Sequence, residues 1–152
     1  LNQGHEQIAL KDEIDHVRQY LFIQKQRYGD KLQYEIEEDE SIADYKLPKL
    51  VLQPLVENAI YHGIKEIDRQ GMIRVTSKAE EGRLILSIYD NGRGFDVNAS
   101  MDATLLRLGG VGLKNVDQRL KLQFGDDYHM EIQSEPDTFT QISLYLPLDS
   151  DD

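Results

Sequence analysis

Apolar residues recur every three or four positions at Leu10, Ile14, Val17, Leu21 and Tyr28, with polar Gln24 filling one step. That period predicts an amphipathic helix over 9–28, stopped by Gly29-Asp30. Leu32, Tyr34 and Ile36 then alternate with polar residues, the period of a strand. Residues 37–46 are acidic and polar and read as a loop. Pro48 suits the first turn of a second helix, where its missing N–H costs nothing. Leu50, Val51, Leu55, Val56, Ala59 and Ile60 carry that helix's apolar side up to Gly63, its expected stop. Pro54 falls inside the run and should bend the helix or delay its start.

After Gly71, Ile73 and Val75 begin a strand, and Leu84 to Tyr89 form the next. Glu81-Gly82 between them predicts a hairpin. Residues 96–109 are weakly patterned and are expected to be a loop, functional or mobile at that length. Leu113, Val116, Leu120 and Phe124 mark a further helix ending at Gly125. Met130 and Ile132, then Ile142, Leu144 and Leu146, are two closing strands, the last ended by Pro147. This order fits a mixed sheet with helices on one face better than a doubly wound parallel fold.

The length, 152 residues, predicts one domain. There is no cysteine, so nothing in the chain reports a redox compartment. The net charge of −11 disfavours nucleic-acid or anionic-membrane binding, which need basic surface. An anionic ligand would need local cations, helix N-termini or a metal ion against that field. No apolar run is long enough to span a bilayer, and no basic-then-apolar signal opens the chain. The start at Leu1 suggests a piece of something longer, and the acidic residues 149–152 read as a solvated tail.

Three segments carry candidate chemistry. Asp90-Asn91-Gly92-Arg93-Gly94-Phe95 follows an alternating strand. A carboxylate there can accept a hydrogen bond from an exocyclic amine such as adenine N6, with Gly92 and Gly94 admitting a ligand close to the backbone. The same residues are equally a turn signature. Gly109-Gly110-Val111-Gly112 precedes a helix, whose free N–H groups and macrodipole favour phosphate. A hinge or cap would use the same glycines, and the pattern is neither a Rossmann fingerprint nor a Walker loop. The third segment is Gln53-Pro54-Leu55-Val56-Glu57-Asn58-Ala59-Ile60-Tyr61-His62-Gly63.

In that segment the Asn58 amide oxygen suits Mg²⁺, and Glu57 can orient or deprotonate a nucleophile. A solvated polar helix face would look similar. His62 and Lys65, one and two turns on, can neutralise phosphate or simply complement a helix C-terminus. Arg107, Lys114 and Arg119 flank the glycine segment, without one of them standing out. His5, His16 and His129 are scattered and form no metal-ligand pattern, and no Ser-His-Asp arrangement can be read.

The ordered set QPLVENAIYHGI, DNGRGF and GGVGLKNVDQRL resembles the N box and glycine boxes of the Bergerat ATP-binding fold, shared by histidine kinases, DNA gyrase, Hsp90 and mismatch-repair ATPases. Within that superfamily, YLFIQKQRYGDKL and the wording QPLVENA resemble the LytS/YesM-type sensor histidine kinases. The resemblance runs from about Leu10 to Leu148. It implies an α/β two-layer sandwich with ATP and Mg²⁺ as cofactors. Asp90 would meet adenine and Asn58 would hold Mg²⁺. Gly92, Gly94, Gly110 and Gly112 would surround the nucleotide, with Leu113 beside them and Thr140 near adenine. Asp96 to Gly110 would be a lid.

The chain departs from the pattern in three places. Pro54 stands four positions before Asn58, where many members carry an acidic or amide residue. Glu57 is instead adjacent to Asn58, about 100° away on a helix, and does not inherit a general-base role by position. Asp137-Thr138-Phe139 precedes Thr140 where glycines are common. The subfamily's acceptor histidine lies in a Pro-His-Phe motif, and no proline in this chain is followed by histidine.

The expectation is therefore the ATP-binding domain of a sensor histidine kinase. Residues 1–30 would lead from an acceptor and dimerisation domain, 31–148 would bind nucleotide, and 149–152 would be tail. Its partners would be that acceptor domain and a response regulator. The domain would be cytoplasmic and the parent a membrane sensor. Two rivals stand beside it: an ATPase machine on the same fold, and a non-catalytic interaction domain.

Overall fold

The computed structural model describes residues 6–97, 100–109 and 111–148. The chain begins with a short strand, β1 (Gln7–Ala9), which pairs antiparallel with β3 (Lys46–Pro48). Between them lie helix α1 (Leu10–Tyr28) and strand β2 (Leu32–Glu37). Helix α2 (Leu52–Asn58) continues without a break into a π-wound turn, Ala59–Ile64. Strands β4 (Gly71–Glu80) and β5 (Arg83–Asp90) follow, then helices α3 (Met101–Gly109) and α4 (Val111–Phe124). Strands β6 (His129–Glu135) and β7 (Phe139–Pro147) complete the order.

Among the described residues, five strands form one sheet in the order β2-β4-β5-β7-β6. Only β2 against β4 is parallel, and the other pairs are antiparallel. The strand period puts Ile73, Val75, Leu84, Leu86, Ile88, Ile142, Leu144 and Leu146 into the core. Leu10, Ile14, Val17 and Leu21 of α1 pack into that same core, as do Leu52, Leu55 and Val56 of α2 and Val116 and Leu120 of α4. The architecture is the expected mixed-sheet α/β sandwich. Helix α1, set apart in the sequence reading as a lead-in, is part of the core.

The expected hairpin forms between β4 and β5, with Glu80 opposite Arg83. Both turn residues have positive φ, 53° at Glu81 and 78° at Gly82, the backbone of a type I′ turn, whose twist matches that of the strands. Two expectations need correction, and one is met. Pro48 ends strand β3 and does not start a helix. Pro54 occupies the first turn of α2 instead, which is the delayed start it was expected to cause. Residues 96–109 are not all loop, because Met101–Gly109 is helical, burying Leu105 and Leu108.

Candidate functional site

Asp90 is the last residue of β5 and pairs in register with Thr140 on β7. The sheet period turns it to the helix-covered side, and only 3% of it is exposed. Burial pushes its carboxyl up to about 7, offset in part by the Gly92 N–H that donates to Oδ1 at 2.9 Å. The helix passes so close that a β-carbon on Gly63 would lie 2.5 Å from Asp90 Oδ1. Gly63 is therefore no helix stop. The helix runs through it to Ile64, and glycine is there to admit the carboxylate.

The loop after Asp90 is tied down by its neighbours. Asn91 Oδ1 accepts from Met72 N at 2.7 Å, and Arg93 N donates to Gly63 O at 3.1 Å. Arg69 Nη2 donates to the carbonyls of Asn91, Gly92 and Asp137, joining this loop to the β6–β7 turn. Gly94, at φ 57°, is pressed against that turn: a β-carbon there would lie 1.9 Å from Glu135 O. Backbone closeness near Asp137-Thr138-Phe139 is thus supplied from the facing side, by Gly94. Thr140 is buried, its hydroxyl 2.8 Å from Ser134 Oγ, which also accepts from Phe95 N.

Two cavities adjoin at this point. The first, about 310 Å³, is lined by Asn58, His62, Gly63, Asp90, Arg93, Gly94, Phe95, Leu108 and Thr140. The second, about 370 Å³, is lined by Tyr20, Pro54, Glu57, Asn58, Tyr61, His62, Gly112 and Leu113. Asn58 and His62 belong to both. Asn58 is 7% exposed, and its Oδ1 is buried without a hydrogen-bond partner among the described residues. An orphaned acceptor of this kind costs about 1–3 kcal/mol, and it points to a ligand that donates to it or coordinates it. Among the described residues no group of three or more His, Cys, Asp or Glu could hold a metal by itself.

His62 is held below the ordinary imidazole value, first by burial and then by the charge of Arg93. Glu57 is exposed at the rim of the second cavity and accepts from Gln53 Nε2 at 3.1 Å. Tyr20 reaches this cavity from α1, its hydroxyl raised in pKa by burial and then by Glu57. Gly112 and Leu113, the second and third residues of α4, bring the beginning of that helix to the cavity edge.

Of the residues singled out from sequence, Asn58, Glu57, His62, Asp90, Gly94, Gly112, Leu113 and Thr140 line one cavity or the other. Gly92 packs behind, against the Gly63 carbonyl. Lys65 lines neither cavity, and its Nζ sits 4.5 Å from the centroid of the Tyr61 ring. Gly110, His5 and the tail 149–152 lie outside the described residues, as do 98 and 99 within the expected lid. Sequence reasoning missed Tyr20, Tyr61, Arg93, Phe95 and Leu108. Arg93 and Phe95 stand inside the DNGRGF segment, where Arg93 between the two glycines and Phe95 directly after the second were the available signal.

Comparison with known proteins gives a consistent result. Residues 43–150 match the family described as histidine kinase-, DNA gyrase B- and HSP90-like ATPase. The sensor histidine kinase BtsS of Escherichia coli K12 is 37% identical over 147 residues, 97% of this chain and 25% of that protein. YesM of Bacillus subtilis, also a sensor histidine kinase, is 34% identical over 140 residues, 92% of this chain and 24% of that protein. The chain thus spans about a quarter of the length of these relatives. The solved catalytic domain of histidine kinase ThkA superposes with a TM-score of 0.68 at 17% identity, over 95% of this chain and 96% of that one. Acinetobacter baumannii histidine kinase AdeS gives 0.70 at 17% identity, over 99% of this chain and 70% of that one.

Proposed function

The chain belongs to the histidine kinase-, DNA gyrase B- and HSP90-like ATPase family, and from that membership we propose that it is the nucleotide-binding domain of a sensor histidine kinase. It binds ATP with Mg²⁺ and presents the γ-phosphate to a histidine on another part of the parent protein, for relay to a response-regulator aspartate. The parent is a membrane sensor and this domain faces the cytoplasm. The observation that carries the reading is the junction of the two cavities, with Asp90 buried in the first and the orphaned Asn58 oxygen between them.

The first cavity takes adenine. The ionised Asp90 carboxylate accepts from the exocyclic amine, beside Thr140, and guanine would turn a carbonyl oxygen on it instead. The backbone at Gly94 forms the wall, with Gly92 packed behind it against Gly63. The second cavity takes the phosphates, beside Gly112 and Leu113 at the beginning of α4, a helix end that favours anions. His62, largely neutral, donates from its ring, and Lys65 over Tyr61 places a cation at the rim. Asn58 Oδ1 would ligate Mg²⁺, which takes oxygen ligands and supplies charge neutralisation at the phosphates. Glu57, at the rim, holds the N–H of the incoming acceptor imidazole and leaves the other ring nitrogen to attack. The work is positioning and neutralisation, as in other phosphoryl transfers.

The test is calorimetric titration with ATP, with and without Mg²⁺, and with GTP. ATP is expected to bind, better with Mg²⁺, and GTP poorly. A charge-assisted hydrogen bond is worth about 1.5–3 kcal/mol, so Asp90→Ala should weaken ATP at least about tenfold with the fold intact. Equal affinity for ATP and GTP would sink the adenine assignment. Steady ATP hydrolysis by the isolated chain would favour an ATPase instead.

A further inference from the structure

The second cavity is lined mainly from two helices, with Tyr20 of α1 beside them. The helix of α2 and its π-wound end bring Pro54, Glu57, Asn58, Tyr61 and His62, and α4 brings Gly112 and Leu113. What sets their separation lies at a distance from the cavity, at the turn leading into α2.

That turn is gripped on both its polar edges. On one edge the Glu13 carboxylate of α1, 1% exposed, accepts from the N–H groups of Leu50 at 3.2 Å, Val51 at 2.7 Å and Leu52 at 2.9 Å. Glu13 thereby caps a helix to which it does not belong. On the other edge Arg119 of α4 donates from Nη1 to Lys49 O at 2.7 Å and from Nη2 to Leu50 O at 2.6 Å. The φ of 59° at Leu50 is the left-handed conformation that lets one short segment turn its N–H groups to α1 and its carbonyls to α4.

None of these groups lines either cavity. Arg119 is seven residues from Gly112, about 10 Å along α4, and Leu52 is six from Asn58, about 9 Å along the other helix. The clamp therefore sits at the hinge of a pair of tongs whose tips hold the second cavity. Gln123, one turn beyond Arg119, adds a second tie to the same side of the molecule through Gln7 at 3.1 Å.

We propose that Arg119 is a positioning residue for the phosphate end of the site: by holding α4 to the turn before α2, it fixes the distance between the Gly112 helix start and Asn58. Glu13 is the opposing grip, which makes α1 the third member of the joint. Two parallel bonds from one planar guanidinium fix orientation as well as distance, which a single ammonium does not. The Arg119 bonds are at the surface, so water replaces them when they are lost and the fold survives. The Glu13 bonds are buried, and removing them would destabilise α2 itself. Arg119 is for that reason the residue to change.

This inference rests on the nucleotide reading, and the experiment separates the two. Arg119→Ala and Arg119→Lys are compared with wild type in calorimetry with Mg-ATP and with adenosine, and in amide hydrogen exchange without nucleotide. Arg119→Ala is expected to weaken Mg-ATP about tenfold, the scale of one charge-assisted contact. Adenosine affinity should stay within about twofold, because the first cavity does not depend on α4 pose to that extent. The lysine variant should fall between. In the absence of nucleotide, exchange at 112–118 should speed up in Arg119→Ala while β4 and β5 stay unchanged. Unaltered exchange at 112–118 would overturn the positioning role whether or not any nucleotide binds. Equal losses for ATP and adenosine would overturn it too. If wild type binds neither nucleotide while the exchange result holds, the joint stands and the ATP reading falls.

Discussion

Gly63 lies so close beneath Asp90 that a β-carbon on the glycine would stand 2.5 Å from the carboxylate oxygen and 2.8 Å from its carbon. The acid's position is therefore set by the helix beneath it as much as by its own strand. Gly63→Ala must push Asp90 or the helix aside. Overpacking of this kind costs about 1–3 kcal/mol, and adenosine affinity should fall along with the thermal midpoint. A variant that melts and binds adenosine like wild type would show that the contact yields freely.

The raised Asp90 value of about 7 makes a pH prediction with a definite sign. Burial raises the folded value above the unfolded one near 3.8. The acid's contribution is then most favourable below about 4 and is lost as pH rises through about 7. Asp90→Asn keeps an acceptor for the Gly92 N–H and removes the charge. It should raise the midpoint relative to wild type at pH 8 and change it little at pH 4, by differential scanning calorimetry at both. Adenosine affinity of the wild type should run the other way, tightening from pH 6 to pH 8 as the carboxylate ionises. A pH-independent affinity would detach adenine from Asp90.

Asn58→Ala removes an oxygen that has no partner among the described residues. Its removal breaks no hydrogen bond among the described residues and relieves an orphaned acceptor, so the thermal midpoint should stay level or rise. The gain in ATP affinity on adding Mg²⁺ should vanish, and metal-free adenosine binding should stay as it was. An undiminished Mg²⁺ effect in the variant would place the ion elsewhere.

At the β4–β5 turn, Glu81 holds φ at 53° with Gly82 beyond it. Asparagine is favoured at that position of a type I′ turn, so Glu81→Asn should stabilise the domain by about 0.5–1 kcal/mol. Urea denaturation at neutral pH reads this directly, and the site, being at the other end of β5, should bind nucleotide unchanged.

The hairpin, the long first helix and the closing strands were all legible because each buries one face, and burial on one face writes a period into the chain. Met101–Gly109 was not, because its nine residues are fewer than the window over which a helical period is counted, although Leu105 and Leu108 are buried. The β1–β3 pair has three residues a side, below the length at which alternation means anything. In the site, Asp90, Asn58 and Gly112 stood out because their local motifs carry the chemistry. Tyr20 did not, since its place at the second cavity comes from how α1 packs on α2, and nothing local to it encodes that. Gly63 was read as punctuation when its purpose is close approach. A glycine gives the same sequence signal for both.

The π-wound turn at Ala59–Ile64, marked by Lys65 N donating to Ile60 O at 3.0 Å, makes chain length at this point a fixed quantity. Each residue added to or taken from a helix rotates everything beyond it by about 100°. One deletion here would close the turn to ordinary α-helical winding and change which of the side chains in Ala59–Ile64 face the cleft. Natural insertions and deletions in descendants of this gene should therefore collect at the β4–β5 turn and at 37–46, and spare the thirteen residues of Leu52–Ile64, where a frame of side chains depends on the count.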